Sequence, residues 1–281
     1  MKIFTTSVLL LIVICFSCSP KFDVVRKEIS NGNNPPNCVW LKDNLHIDQS
    51  EVSNTDYREY IYWLLRHYGS QSDQHKKSLP NTVVWRQITP FYPAYEEYYL
   101  WYPSYGNYPV VGITKDQAEN YCRWRSYSIN KFIYAQENKV KKISFFEDTT
   151  FKSNFPIKYI YRLPTKKEWE YAATAGTKSE IGYENILTDK NEYKINTKET
   201  FTLKSYSIIE TKLKNNDVPT YVYNTSYTLP IYSSEPNKYW LYNMIGNVAE
   251  LVQEEGIAKG GSFYHYLDSC KISVDIPYTE P

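Results

Sequence analysis

Two helix starts are written into this chain as reciprocal capping boxes, and they limit how much regular structure the rest of it can hold. Thr114-Lys115-Asp116-Gln117 and Thr165-Lys166-Lys167-Glu168 each place a hydroxyl three residues before a side chain that can reach back to the cap backbone. Behind the first box, Ala118, Tyr121 and Cys122 share one face. Behind the second, Trp169, Ala172 and Ala173 do, and Gly176 offers the stop. An earlier helix is expected after Ser53 or Asn54, with Tyr57, Tyr60, Ile61, Leu64 and Leu65 at helical spacing. Elsewhere the pattern breaks. Residues 90–109 are aromatic and punctuated by proline, which suits packed but irregular chain. Gly69 to Leu79 reads as a loop and Val83-Val84-Trp85 as a short strand. Val39 to Val52 alternates in part. Residues 139–158 read as a hairpin or insertion, and 177–219 as peripheral strands and loops. The expectation is an α+β domain with much irregular structure.

Composition removes several classes. Lys plus Arg is 32 and Asp plus Glu is 31, a formal net charge of +1, so no electrostatic footprint for nucleic acid exists. The N-terminus carries Lys2 and then an apolar run from Val8 to Phe16, far short of the ~20 residues a spanning helix needs. Ser17-Cys18 follows and resembles a bacterial lipoprotein processing site, although Cys15 stands where that site has Leu or Val. The expected organisation is a signal peptide over 1–17, a lipidated Cys18 and tether over 18–37, and one domain over 38–281. Three cysteines remain beyond Cys18, namely Cys38, Cys122 and Cys270. In an oxidising compartment one disulfide is possible, with the pair left open.

Four segments resemble, in order, the formylglycine-generating enzyme or sulfatase-modifying factor family. They are 108–124 (YPVVGITKDQAENYCRW), 161–173 (YRLPTKKEWEYAA), 235–250 (EPNKYWLYNMIGNVAE) and 258–263 (AKGGSF). The resemblance implies a C-type-lectin-like α+β fold. Segments 48–58 (DQSEVSNTDYR), 79–85 (LPNTVVW) and 105–112 (YGNYPVVG) look like the Bacteroidetes lipoproteins of gliding motility and type IX secretion. That likeness implies an outer-membrane-associated lipoprotein with envelope or secretion-machine proteins as partners, on the periplasmic or surface side.

The enzyme branch oxidises a substrate cysteine with O2 and copper held by two thiolates, the soft ligands Cu(I) prefers. Cys270 matches the first thiol position, eight residues after Ser262, but five residues further on stands Asp275. Ala249 stands where the family has a tryptophan, and the domain is expected to be C-terminally short of the family's closing Gly-Phe-Arg strand. Copper is therefore not expected, Cys270 remains the sole catalytic candidate, and the expected role is structural or interactive. A drifted oxidase is the first alternative. The resemblance also implies calcium held by the Asn243 side chain, the Gly246 and Val248 carbonyls and the Glu250 side chain, all hard oxygen donors. His46, His67, His75 and His265 lack helical metal spacing, Ser262 is in no nucleophile elbow, and Gly260-Gly261 is read as a close backbone approach. Tyr92 to Tyr105 supplies an aromatic surface for a protein or sugar, the second alternative.

Overall fold

A computed structural model describes residues 34–88, 93–140, 154–189, 192–201 and 227–279. The lipidation site at Cys18, the signal peptide, most of the tether, Tyr92, the centre of the 139–158 segment and all of 202–226 lie outside the described residues. Within them, no helix is long and apolar enough to cross a membrane.

Strands β1 (Cys38–Lys42) and β2 (Leu45–Asp48) form an antiparallel hairpin in which Cys38 faces Asp48 and Val39 faces Ile47. Asp43 takes the left-handed turn position at φ 47, which aspartate tolerates better than most residues. Helix α1 (Asn54–Tyr68) starts at Ser53: its hydroxyl accepts from the Asp56 amide at 3.1 Å, and Asp56 accepts back from the Ser53 amide at 3.3 Å. Asn54 is thus the first helical residue rather than the cap. Its side-chain amide donates instead to the Tyr99 and Tyr105 carbonyls, both at 3.0 Å.

Two expectations fail in the next stretch. Part of the Gly69–Leu79 loop is helix α2 (Asp73–Ser78), because the Ser72 hydroxyl accepts from the His75 amide and starts a turn. The expected strand at Val83–Trp85 is helix α3 (Val84–Ile88), capped at its approach by Asn81 accepting from the Val83 amide. Burying Trp85 against Tyr99 and Phe263 outweighs the β-preference of two valines. Helix α4 (Pro93–Tyr98) and a 3-10 turn (Pro103–Tyr105) complete the aromatic segment.

Both predicted capping boxes form. Helix α5 (Lys115–Glu137) is capped by Thr114 with Gln117, and α6 (Lys166–Thr174) by Thr165 with Glu168. Helix α6 ends at Thr174 with Ala175 as its cap, and Gly176 just past it is left-handed at φ 70, the stop that the sequence predicts; Ala175 is left-handed as well, at φ 46. The second sheet is antiparallel, in the order β3 (Glu250–Leu251), β4 (Ile257–Lys259), β5 (Ile276–Pro277).

The interior divides into three clusters. One joins α6 and the hairpin to the 239–252 segment through Trp169, Leu41, Leu241, Met244, Ile245 and Val252. A second packs α1 on α5, with Tyr57, Tyr60, Tyr121 and Trp124 in edge and tilted contacts. The third is aromatic, around Trp85, Tyr99 and Phe263. The fold is therefore α+β with small sheets and much irregular chain, as the sequence predicts.

Candidate functional site

The 243–250 segment coils tightly. Asn243, Gly246 and Asn247 have φ of 52, 81 and 58. Gly246 is required there, since a Cβ would lie 2.4 Å from the Asn196 carbonyl oxygen. Asn243 and Asn247 are buried and lock the coil to the start of α1. The Asn243 amide donates to Glu51 Oε2 at 3.0 Å and to the Ile231 carbonyl at 3.2 Å, while its oxygen accepts from the Ser234 hydroxyl. The Asn247 amide donates to Glu51 Oε1 at 2.8 Å. Glu250 accepts from the Trp169 indole at 2.7 Å.

Glu51 is the member of this site that sequence reading missed; the only signal was its place just before the Ser53 cap. Burial and then the Glu250 charge push Glu51 up to about 8, against amide hydrogen bonds that pull it down. Burial likewise pushes Glu250 up to about 7, with the Trp169 hydrogen bond opposing. A Glu51 carboxylate whose charged form is disfavoured by burial and by the nearby Glu250 charge suits a cation. The donors are hard oxygens, which fits calcium rather than a soft metal. Among the described residues, no group of three or more His, Cys, Asp or Glu side chains gathers as a metal site.

The two positions that correspond to the copper thiolates are built differently. Cys270 is fully buried, and burial pushes its thiol up to about 12. Its sulfur fills the space over Gly261, where a Cβ would lie 2.3 Å from Sγ. The predicted close approach at Gly260-Gly261 is thus real, and its partner is Cys270. Asp275 accepts from Lys166 Nζ at 2.6 Å and Lys259 Nζ at 3.1 Å. These partners, Lys166 foremost, hold its carboxyl below the usual range. Lys259 has no exposed side-chain surface and also donates to Glu170 at 2.9 Å and the Val274 carbonyl at 2.9 Å. A carboxylate engaged by two ammonium groups and a protonated buried thiol do not fit Cu(I).

A model of the sulfatase-modifying factor enzyme 1-like domain matches residues 19–277. The chain belongs to that family. Similar proteins of solved structure include three distant ones. PvdO from Pseudomonas aeruginosa is similar at 16% identity and a TM-score of 0.38, over 62% of this chain and 57% of that one. This chain therefore spans just over half the length of PvdO. CarF is similar at 17% identity and 0.35, over 86% and 87%. Treponema denticola variable protein 1 is similar at 18% and 0.31, over 72% and 77%. No curated protein matches.

Two further thiols of this sulfatase-modifying-factor-like domain flank a part-buried ion pair. Arg125 grips Asp48 with both guanidinium nitrogens, and the Cys38 thiol donates to Asp48 Oδ1 at 3.1 Å. Burial raises Cys38, and raises half-buried Cys122 to about 12. All three described cysteines are free thiols. Cys38, Cys122, Asp48, Arg125 and Glu250 line a common cavity of about 870 Å³.

The histidines divide. His265 Nδ1 lies 2.8 Å from the Ser262 hydroxyl, a contact three residues apart within one turn; Ser262 Oγ also accepts from the Tyr264 amide. His67 stacks on Trp63 with 3.5 Å between centroids. The aromatic segment does not form one surface. Tyr99 is buried, and Tyr95, Tyr105 and Tyr108 pack around it as core, whereas Tyr98, Trp101 and Tyr102 are about half exposed.

Proposed function

We propose that this chain is a lipid-anchored, non-catalytic interaction domain of the cell envelope, built on the formylglycine-generating fold. The observation that carries the reading is the ion-paired Asp275 at the second thiol position, opposite a Cys270 buried as a protonated thiol. The replaced second thiol and the protonated first one together leave no thiolate pair for Cu(I) chemistry. The anchor is Cys18, and the partners are envelope proteins. The segments that resemble gliding-motility and type IX secretion lipoproteins support an outer-membrane secretion assembly as the setting. Calcium is the cofactor consistent with the 243–250 coil, held by Asn243, Gly246, Val248 and Glu250 with Glu51 beside them. Bound there, it would neutralise the two buried carboxylates and fix the coil to α1.

A peptide containing Cys-x-Pro-x-Arg, incubated with copper-loaded protein and O2, tests the non-catalytic reading. Mass spectrometry finds the peptide thiol unchanged if the reading holds. An aldehyde product that disappears in Cys270→Ser overturns it and restores the oxidase.

A further inference from the structure

Lys259, the last residue of β4, has no exposed side-chain surface. The sheet register decides what it meets. Ile257 faces Pro277 and Ala258 faces Ile276, so the antiparallel pairing, carried one residue further, sets Lys259 opposite Asp275. The side chains complete the approach. Lys259 Nζ lies 3.1 Å from Asp275 Oδ1, 2.9 Å from Glu170 Oε1 of α6 and 2.9 Å from the Val274 carbonyl oxygen. Each of the three ammonium hydrogens thus has an acceptor. The Trp169 ring lies against this group, 5.7 Å from Nζ to its centroid. On the far side of the carboxylate, Lys166 Nζ donates to Asp275 Oδ2 at 2.6 Å.

We infer that Lys259 and Asp275 condense into an intramolecular isopeptide bond, with Glu170 as the proton relay. The inference goes beyond the reading above and is independent of copper, calcium and the anchor. One Nζ–Cγ bond forms and one Cγ–Oδ1 bond breaks. Two of the three ammonium protons pass by way of Glu170 to Oδ1, which leaves as water. The third stays on the new amide nitrogen and keeps its hydrogen bond to the Val274 carbonyl. Nothing is oxidised or reduced, and no co-reactant is consumed. Glu170 touches the nitrogen and is placed as the base. Lys166 holds Oδ2, where negative charge gathers as Nζ adds to Cγ. Asp275 has 34% of its side chain exposed, which gives the released water a way out.

Two effects favour the amide over the ion pair. The fold holds the reacting groups in contact, and good orientation is equivalent to an effective concentration of ~10⁵–10⁸ M. An ion pair also leaves the Lys259 charge fully desolvated, a penalty that Coulomb attraction offsets incompletely; the amide is neutral. Lys166 keeps 32% of its side chain exposed, so it remains a hydrated ammonium and polarises the carboxyl rather than attacking it. The product ties β4 to the residue before β5, a strand of two residues.

Tandem mass spectrometry of the full chain, denatured and then digested with trypsin, tests the bond. In wild type, trypsin passes over Lys259. The peptide containing it is joined to the one that begins at Ile272, with a mass one water below their sum. Glu170→Gln and Lys259→Arg each give the two peptides separately at full mass. Separate peptides at full mass in wild type overturn the proposal. So do a link from Asp275 to Lys166, a water loss confined to the Ile272 peptide (a cyclic imide), and a link that forms undiminished in Glu170→Gln. The wild-type digest alone decides whether the bond exists, so a variant that fails to fold does not remove the test. None of these results bears on the aldehyde assay, and the non-catalytic reading stands or falls separately.

Discussion

Gly261 and Cys270 illustrate how single residues set the chemistry of this domain. Gly261 is left-handed at φ 66, and its missing Cβ is the space that Cys270 Sγ occupies. Gly261→Ala therefore meets both overpacking and backbone strain, and costs about 2 kcal/mol or more. Denaturant unfolding reads this as a lower midpoint with an unchanged m-value; a midpoint equal to wild type contradicts the packing described. The Gly-Gly-Ser motif was legible in sequence as a close approach, but not its partner, because Cys270 lies in a 3-10 turn (Leu267–Cys270) with no periodic pattern. Glu51 escaped detection for a related reason. Its role comes from the Asn243 and Asn247 amides nearly two hundred residues away, and separation of that size leaves no local signature.

At the scale of elements, α6 is the clearest case of sequence dictating structure. Thr165 caps it, and Glu168 both closes the box and receives Arg162 through two hydrogen bonds of 2.7 Å. Thr165→Ala is expected to cost ~1 kcal/mol. The Arg162 hydrogen bonds, with the Thr165 backbone and hydroxyl assisting, hold Glu168 down at about 2, against an ordinary value of 4.5. The folded state thus keeps its proton off more strongly than the unfolded state. The associated stability is fully present above about pH 4.5 and is lost as the pH falls toward 2. Acid unfolding followed by circular dichroism gives a shallower pH dependence in Glu168→Gln than in wild type; identical profiles contradict the assignment. The 243–250 coil is the second test at this scale. Calcium at about a hundredfold excess over its Kd adds ~2.7 kcal/mol of stability, which Glu250→Gln diminishes. A melt that is the same in calcium and in chelator rejects the site. Helices α2 and α3 were hidden because they are short and polar or β-branched. Ser72, Asn81 and burial of Trp85 decide them, where residue propensity does not.

For the molecule as a whole, the family and the α+β class were legible because four motifs keep their order along the chain. The division of aromatic residues between core and surface was not. Tyr98 and Tyr99 are neighbours with opposite fates, set by whether each ring faces Trp85. The proposed anchor makes a direct prediction: mass spectrometry of mature protein from the native envelope finds a lipid-modified Cys18 at the N-terminus, whereas an unmodified N-terminus at any other residue contradicts it. The central claim is that this sulfatase-modifying-factor-like domain has lost the copper centre while keeping the fold. Competition with a Cu(I)-selective chromophoric chelator under anaerobic conditions measures that most directly. The account predicts that the chelator keeps its metal, with no difference between wild type and Cys270→Ser. A stoichiometric Cu(I) complex in the wild type that is lost in Cys270→Ser would contradict it.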